Sequence, residues 1–313
     1  MMNPLFTIAI PAFKRRYLSE AIDSCLVQSY GNFEIVIVND ASPEDLDSVI
    51  SKYDDVRIRY YRNKRNCGAI NVVDNWNICL SYAKGDYIIC MGDDDKLLPC
   101  CLGEYVKLMQ KYPDLGVYHA WTELIDENSK FKTMQQPRPE YESAFSLAWN
   151  RWNGRKKQYI GDFCFDTKKL REDGGFYKLP LAWGADDITS VRAAVYGGIA
   201  NTQILCFQYR ESRFTITKTG NSKIKIDAVM KEKAWFLNFV SDNEKKANID
   251  SNDKKYIMCI KHDLPLHYRE KLKHEIYLDI KSHSYAFLKW LIKANSYGIK
   301  KSDVFISWLK SLK

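Results

Sequence analysis

The chain has 313 residues and a mass of 36.5 kDa, enough for one large α/β domain with an appendage or for two domains. With 46% apolar and 27% charged residues its composition is ordinary for a globular protein, which excludes a mostly disordered chain. The formal charge of +8 lies at one end: residues 221–313 hold 19 basic and 11 acidic residues, which leaves 28 of each in residues 1–220 and points to an anionic partner for the tail alone.

Strand and helix signals alternate through the first half. Residues 5–10, LFTIAI, predict a short buried strand, and Leu18, Ala21, Ile22, Cys25 and Leu26 form a helical stripe within 17–30. FEIVIV (33–38) predicts a second strand that runs into Asn39 and Asp40, and Pro43 opens a short helix through about residue 52. VRIRYY (56–61) alternates like a strand, a helix follows over about 69–83, and Gly85 stops it. DYIICM (86–91) is a fourth strand ending in GDDD, Pro99 begins another helix, and LGVYHAW (115–121) is a fifth strand. This spacing implies βαβ units in a mostly parallel sheet with right-handed crossovers.

The pattern weakens over 123–160, where 128–140 reads as a polar loop and Trp149, Trp152 and Tyr159 stand among basic residues. Order returns with GDFCFD, a helix near 167–172, the pair Gly174-Gly175, a helix over 185–196 and a strand over 199–210. After residue 221 strand signals fade and helices remain. The nine cysteines, odd in number and without a Cys-x-x-Cys, read as reduced and mostly buried thiols of a cytosolic protein. The N-terminus lacks signal-peptide character and no apolar run is long enough to span a membrane, so a soluble or surface-attached protein is expected.

Ligands of open parallel sheets bind at the carboxyl ends of strands. Asp40 ends the second strand, and Asp93, Asp94 and Asp95 end the fourth. Three adjacent carboxylates repel unless a cation or a solvated turn relieves them, and hard oxygen ligands suit Mg²⁺ or Mn²⁺ with substrate phosphates completing the shell. A solvated turn capping the helix after Pro99 is the plainer alternative. Neither a dinucleotide-binding glycine pattern nor a P-loop is present, and His119, the only histidine before residue 221, reads as structural.

Taken in order, TIAIPAF, LVQSYGNFEIVIVNDAS, the Asn-x-Gly of Asn66–Gly68, the Asn-Trp-Asn of Asn75–Asn77, AKGDYIICMGDDDKLLP, Gly-Gly-Phe and ADDITSVR resemble the family 2 glycosyltransferases of GT-A fold over about residues 5–210. The resemblance implies an α/β, GT-A-type doubly wound, mostly parallel sheet as a catalytic domain over 1–220, and a helical, basic C-terminal region over 221–313. It implies a metal-dependent, inverting transfer of a sugar from a nucleoside diphosphate sugar, UDP foremost, to a hydroxyl of a glycan or lipid-linked oligosaccharide in cell-envelope polysaccharide biosynthesis.

The same resemblance assigns residues. Asp40 would accept a hydrogen bond from the donor's base, with Pro11, Phe13 and Asn66 around it; a turn or N-cap role is its alternative. Asp93 and Asp94 would face the donor. The metal would be held by Asp93 with Asp95, or by Asp94 alone, because Gly92 stands where the family often carries the first Asp. The metal, Mn²⁺ or Mg²⁺, would stabilise the leaving diphosphate. Asp186, with Asp187 close behind, would take the proton of the acceptor hydroxyl, and Trp183 and Gly184 would line the acceptor site; an acidic first helical turn is the alternative. Arg192 matches the family's arginine six residues after Asp186, while Arg210 and Arg213 either reach the diphosphate or form ion pairs. Arg151-Trp152 resembles part of the processive synthases' Gln-x-x-Arg-Trp, but position 148 is Ala, so processive synthesis is not expected.

The tail carries SYAFLKWLIK (284–293) and a last helix with Val304, Phe305, Trp308 and Leu309 that Ser302-Asp303 would cap. A basic amphipathic helix of this kind either packs its apolar side or lies on an anionic membrane. The expected location is therefore the cytoplasm, with peripheral contact at the inner face of the membrane as the variant. No nucleic acid partner is expected. A non-catalytic binding module and a sugar nucleotidyltransferase are the rival functions; the retained carboxylates oppose the first, and PAFKRR in place of a Gly-rich phosphate loop opposes the second.

Overall fold

A computed structural model describes residues 3–153, 157–211, 222–246, 249–283 and 285–312. Ten strands form one sheet: β1 (Phe6–Ala12), β2 (Phe33–Asn39), β3 (Ile58–Arg62), β4 (Tyr87–Cys90), β5 (Lys96–Leu97), β6 (Val117–Ile125), β7 (Phe131–Met134), β8 (Tyr141–Glu142), β9 (Phe163–Asp166) and β10 (Ile199–Arg210). Their order is β3-β2-β1-β4-β9-β6-β10-β5, with β7 on β6 and β8 on β10. The first four are parallel, as is β6 with β10. β9 runs antiparallel between β4 and β6, so the sheet is parallel on one side and mixed on the other.

The apolar runs explain the parallel part. β2 and β4 are buried along their whole length and β1 at every residue but Pro11, as strands covered on both faces must be. Pro11 lies beyond the last β1–β4 pair, Ala9 with Cys90, so its missing N–H falls where that ladder has ended.

Helices cover these strands: α1 (Leu18–Leu26), α2 (Asp47–Ile50), α3 (Val72–Tyr82), α4 (Cys101–Lys111), α5 (Ala144–Trp152), α6 (Thr167–Glu172) and α7 (Ala185–Ala194). α1 buries Leu18, Ala21, Ile22 and Cys25, the stripe read from the sequence. α2 is a single turn that begins at Asp47. Two elements lie in the stretch read as weakly patterned. β7 has all four residues exposed and so carries no alternation; it pairs with β6 through a turn in which Asp126 Oδ1 accepts from the N–H groups of Asn128 and Lys130. α5 starts at Ser143, whose hydroxyl accepts from Ser146 N, and buries Phe145, Leu147, Ala148 and Trp152.

The chain divides into two units, Met1–Lys178 with Ala185–Thr215, and Leu179–Gly184 with Ile216–Lys313. The second contains α8 (Ser222–Glu244), α9 (Ser251–Ser282), α10 (Ala286–Lys293) and α11 (Lys301–Ser311). Its interior holds Ile226, Phe236, Ile260, Leu264, Tyr268, Leu272 and Trp290. Arg269 on α9 forks onto both oxygens of Asp303 on α11, at 2.9 and 2.8 Å. Among the described residues every cysteine is free and only Cys259 is exposed outright, while no helix is long and apolar enough to cross a membrane.

Gly85 shows how tightly the start of β4 is set. A Cβ there would stand 2.5 Å from Thr7 N and 2.8 Å from Leu5 O, both backbone atoms that cannot swing aside. Gly85→Ala is expected to cost about 2–4 kcal/mol of folding stability in chemical denaturation; a cost below about 0.5 kcal/mol would contradict this packing.

Candidate functional site

The parallel register of β2, β1 and β4 brings three strand ends together. Ala12 pairs with Asn39, and beyond the ladder Asp40 N donates to Ala12 O at 2.9 Å and Met91 N to Ala9 O at 2.9 Å. Asp93 then reaches across to the segment after β1. The N–H groups of Phe13 and Lys14 both donate to its Oδ2 at 2.6 Å. Burial, with the neighbouring charge of Asp94 adding to it, pushes the Asp93 carboxyl up to about 6 despite these two donors.

Asp95 is also buried; its Oδ1 accepts from Arg210 N at 2.9 Å, and burial followed by Asp94 raises its carboxyl well above the usual range. Asp94 is the most exposed of the three, and its Oδ2 stands 3.5 Å from Lys14 Nζ. Burial alone would lower the Lys14 ammonium, but Asp94 and then Asp93 outweigh it and hold its pKa above the ordinary value. Gly92 makes this turn possible, since a Cβ there would lie 2.8 Å from Asp95 Oδ2 and 3.1 Å from Asp94 Oδ1.

Asp40 is held by a chain of amides. Its Oδ1 accepts from Asn63 Nδ2 at 2.8 Å and from Cys67 N at 2.9 Å, and its Oδ2 takes only a 3.2 Å contact from the same Cys67 N–H. Asn63 is oriented in turn by Asn75, whose Oδ1 accepts from Asn63 Nδ2 at 3.0 Å and whose Nδ2 donates to Val38 O at 3.3 Å. Asn66 does not face Asp40. Its side chain accepts from Gly68 N, and Gly68 at φ +77° completes the turn that aims Cys67 N at the carboxylate. Phe13 is exposed beside this site, and Ser42 Oγ holds its carbonyl at 2.5 Å.

The Asp186-Asp187 pair begins α7. Asp187 is buried, its Oδ1 accepting from Arg151 Nε and Gln158 Nε2, both at 2.8 Å. Asp186 is partly exposed. The phenol of Tyr209 is raised chiefly by burial, and the charges of Asp95, Asp94 and Asp186 add to the rise. Tyr209 stacks on Tyr159 with centroids 3.6 Å apart.

Arg192 braces the Gly-Gly-Phe turn, donating from Nη1 to Asp173 O at 2.8 Å and from Nη2 to Gly175 O. Asn77 closes that turn from the other side, accepting from Phe176 N at 2.8 Å and donating to Phe176 O at 3.1 Å. Arg210 is buried and cannot reach a ligand directly: it donates to Asp94 O at 2.7 Å and Glu20 Oε2 at 2.8 Å with its guanidinium 4.1 Å from the Tyr17 ring centre. Arg213 lies outside the described residues.

Trp183 and Gly184 fold with the second unit. There Lys225 Nζ lies 4.6 Å from the Trp183 ring centre, and a Cβ on Gly184, at φ +88°, would stand 2.8 Å from the Glu232 carboxylate. Leu181 and Ala182 also take positive φ, 58° and 52°, so the approach to α7 is strained. Trp152 is core, and His119 is buried in β6 with Nε2 3.7 Å from Asp162 Oδ2. Sequence reasoning passed over Lys14, Asn63 and Gln158. Only Asn63 had a signal, its place directly after the third strand in the same strand-end layer as Asp40.

A curled mixed sheet with carboxylates at adjacent strand ends is the GT-A glycosyltransferase architecture. S. aureus TarS 1-349 in complex with UDP-GlcNAc matches it with a TM-score of 0.63 at 12% identity, over 98% of this chain and 90% of that one. The mannosyltransferase PcManGT from Pyrobaculum calidifontis, in complex with GDP-Man and Mn²⁺, matches with a TM-score of 0.57 at 15% identity, over 100% and 88%. Residues 7–175 match the family model for glycosyl transferase family 2, and the chain belongs to that family. A putative colanic acid biosynthesis glycosyl transferase of Escherichia coli K12 is 34% identical over 138 residues, 43% of this chain and 47% of that protein. An uncharacterized glycosyltransferase of Rickettsia typhi is 31% identical over 142 residues, 44% of this chain and 43% of that one. The chain thus aligns with somewhat under half the length of these curated relatives.

Carboxylate oxygen is the ligand type that hard divalent ions take. The Asp93–Asp95 turn offers only such oxygens, with Asp94 the least buried, and no group of three side chains able to hold a metal ion is present among the described residues. The Asp93 carboxyl is predicted to shape the pH dependence. Its folded pKa near 6 exceeds the usual value of about 3.9, so the fold holds that proton more tightly than the unfolded chain does. The stabilisation is full below about pH 4 and is lost as pH rises through 6. Asp93→Asn, which keeps an acceptor for Phe13 N and Lys14 N, should flatten part of the fall in unfolding free energy between pH 4 and 7; an unchanged slope would place the Asp93 pKa elsewhere.

Proposed function

We propose that this glycosyltransferase moves a sugar from a nucleoside diphosphate donor, UDP foremost, to a hydroxyl of a glycan or lipid-linked oligosaccharide, with inversion at the anomeric carbon. One observation carries the reading: Asp40, the Phe13-Lys14 segment and the Asp93–Asp95 turn meet at the carboxyl ends of adjacent parallel strands, where such sheets bind ligands. The UDP-GlcNAc bound to TarS and the GDP-Man and Mn²⁺ bound to PcManGT, on the same fold, support a nucleotide-sugar donor and a divalent ion.

In this reading Oδ2 of Asp40, the less engaged oxygen, accepts the imide N–H of a pyrimidine base, with Pro11 and Phe13 beside the ring. Asn66 contributes through the turn that orients Asp40. Asp94 is the direct metal ligand, because Asp93 and Asp95 each commit an oxygen to backbone N–H groups. Those two set the turn, which moves the Asp93–Asp95 assignment behind the Asp94 one. Mn²⁺ or Mg²⁺ there would neutralise the departing diphosphate, a task Lys14 is placed to share.

Asp186 takes the proton from the acceptor hydroxyl as that oxygen attacks the anomeric carbon. Asp187, bound to Arg151 and Gln158, positions the start of α7 and leaves Asp186 as the base. Trp183 and Gly184 directly precede this helix and remain the acceptor-side residues. A role in cell-envelope polysaccharide assembly, in the cytoplasm and next to the membrane, follows from a lipid-linked acceptor.

Thermal unfolding in the presence of UDP, dTDP or GDP, with and without Mn²⁺, tests the donor site. A nucleotide at 100 times its Kd adds about 2.7 kcal/mol. A shift that needs Mn²⁺ and is lost in Asp94→Asn is expected, and Asp186→Asn should keep the shift while transfer falls at least roughly a hundred-fold, the lower range of general-base contributions. No shift with any nucleotide in folded protein would sink the donor-site reading, and full transfer by Asp186→Asn would remove that residue as base.

A further inference from the structure

We propose that α10 and α11 form a docking face for an anionic lipid bilayer. α10 turns Ala286 and Trp290 inward, and α11 turns Val304 and Ser307 inward, so both helices already have their core-facing sides occupied. On the other sides stand Leu288 at 66% exposure, Ile292 at 82%, Phe305 at 48% and Leu312 at 66%. The two helices present one patch. Phe287 of α10 stacks on Trp308 of α11 with centroids 4.9 Å apart, and Phe305 lies 5.5 Å from the same Trp308. Phe287 and Trp308 are themselves half-buried, and the apolar surface left exposed is Leu288 and Ile292 on α10 with Phe305 and Leu309 on α11; exposed apolar surface of this kind marks an interaction site.

Charge selects the occupant. Residues 281–313 contain seven lysines and one acidic residue, Asp303. That carboxylate is buried and both its oxygens are taken by Arg269, so it offers no compensation to the surface. Lys289 is paired with Asp279 at 3.1 Å, while Lys293, Lys300, Lys301 and Lys310 are exposed. Two copies of the chain meeting through this face would set lysine against lysine, which opposes self-association. A bilayer with anionic headgroups meets both demands at once: it takes up the apolar side chains and pairs the ammonium groups. Since no described helix is long and apolar enough to cross a membrane, these helices would lie in the plane of the surface.

The test is flotation of the full chain with phosphatidylcholine vesicles and with vesicles containing 30% phosphatidylglycerol. Partitioning at least ten-fold stronger on the anionic vesicles is expected, falling in high salt as the attraction is screened. Leu288→Ser with Ile292→Ser should abolish most of it, and each of Lys293→Gln, Lys301→Gln and Lys310→Gln should lower it roughly five-fold. Val56→Ser removes an apolar side chain that is even more exposed, in the α/β unit outside these helices, and should change nothing. All these positions are on the surface, so the unfolding temperature should hold and report that each variant is folded. Failure of the folded wild-type chain to float with anionic vesicles overturns the proposal. So does a dimer in sedimentation velocity, without vesicles, that dissociates in the Leu288→Ser, Ile292→Ser variant. Neither result bears on the donor-site reading, which nucleotide binding tests separately.

Discussion

One carboxylate oxygen organises the strand-end layer. Parallel strands have no tight turn to join their ends, and the chain beyond each strand is free to diverge unless a contact ties it back. Asp93 Oδ2, accepting from two successive N–H groups, ties the chain after β1 to the chain after β4. That bond sets where Phe13 stands, and it places Lys14 so that its ammonium faces Asp94. The clamp has a cost, visible in the carboxyl pKa that burial raises, and a charge at Asp94 offsets part of it only by recruiting a cation. Three adjacent acids, two of them buried, are balanced in this turn by backbone N–H groups and by the Lys14 ammonium facing Asp94.

The rest of this layer is held by amides. Asn75, Asn63 and the Asn66–Gly68 turn converge on Asp40, and Asn77 with Arg192 clasps the Gly-Gly-Phe turn beside α6. An amide both donates and accepts without carrying charge, so one side chain can hold a carboxylate and pass the contact on to the next group. The Asn-Trp-Asn motif does two jobs from one turn of α3. Its first residue supports the Asp40 group, its third supports the turn 99 residues away, and the buried Trp76 between them packs edge-on to Phe176 at 5.9 Å.

The helical unit handles charge differently. Its buried acids are met by partly exposed bases, Glu232 by Lys271 at 2.6 Å and Asp303 by Arg269, and Trp290 donates to Asp279 at 2.7 Å. Elsewhere the unit's acids lie at the surface, as in the Lys261–Glu244 and Lys273–Glu270 pairs, whereas the stretch from residue 281 onward has the buried Asp303 as its one acid and an apolar face beside its lysines.

The sequence by itself determined the elements whose burial is complete. β1, β2, β4 and the apolar stripe of α1 are legible because a strand or helix that packs on all its inward positions must repeat apolar residues at its own period. It determined the family, through motifs in order, and the identity of the acidic groups at the strand ends. It was silent where an element has no buried face, as in β7, and α5 went unread although Ser143 and the residues after it follow the capping rule.

What only the tertiary structure decided is how one carboxylate differs from its neighbour. In one dimension Asp93, Asp94 and Asp95 are equivalent, as are Asp186 and Asp187. Burial and partners arriving from distant segments, Phe13 and Lys14, Arg210, Arg151 and Gln158, separate them into those that brace the site and those that face it. The same holds for Arg210, for which the sequence leaves open contact with the diphosphate or an ion pair, and which is buried against Tyr17 and paired with Glu20. Hydrogen bonds between segments so far apart have no period, so no spacing along the chain announces them.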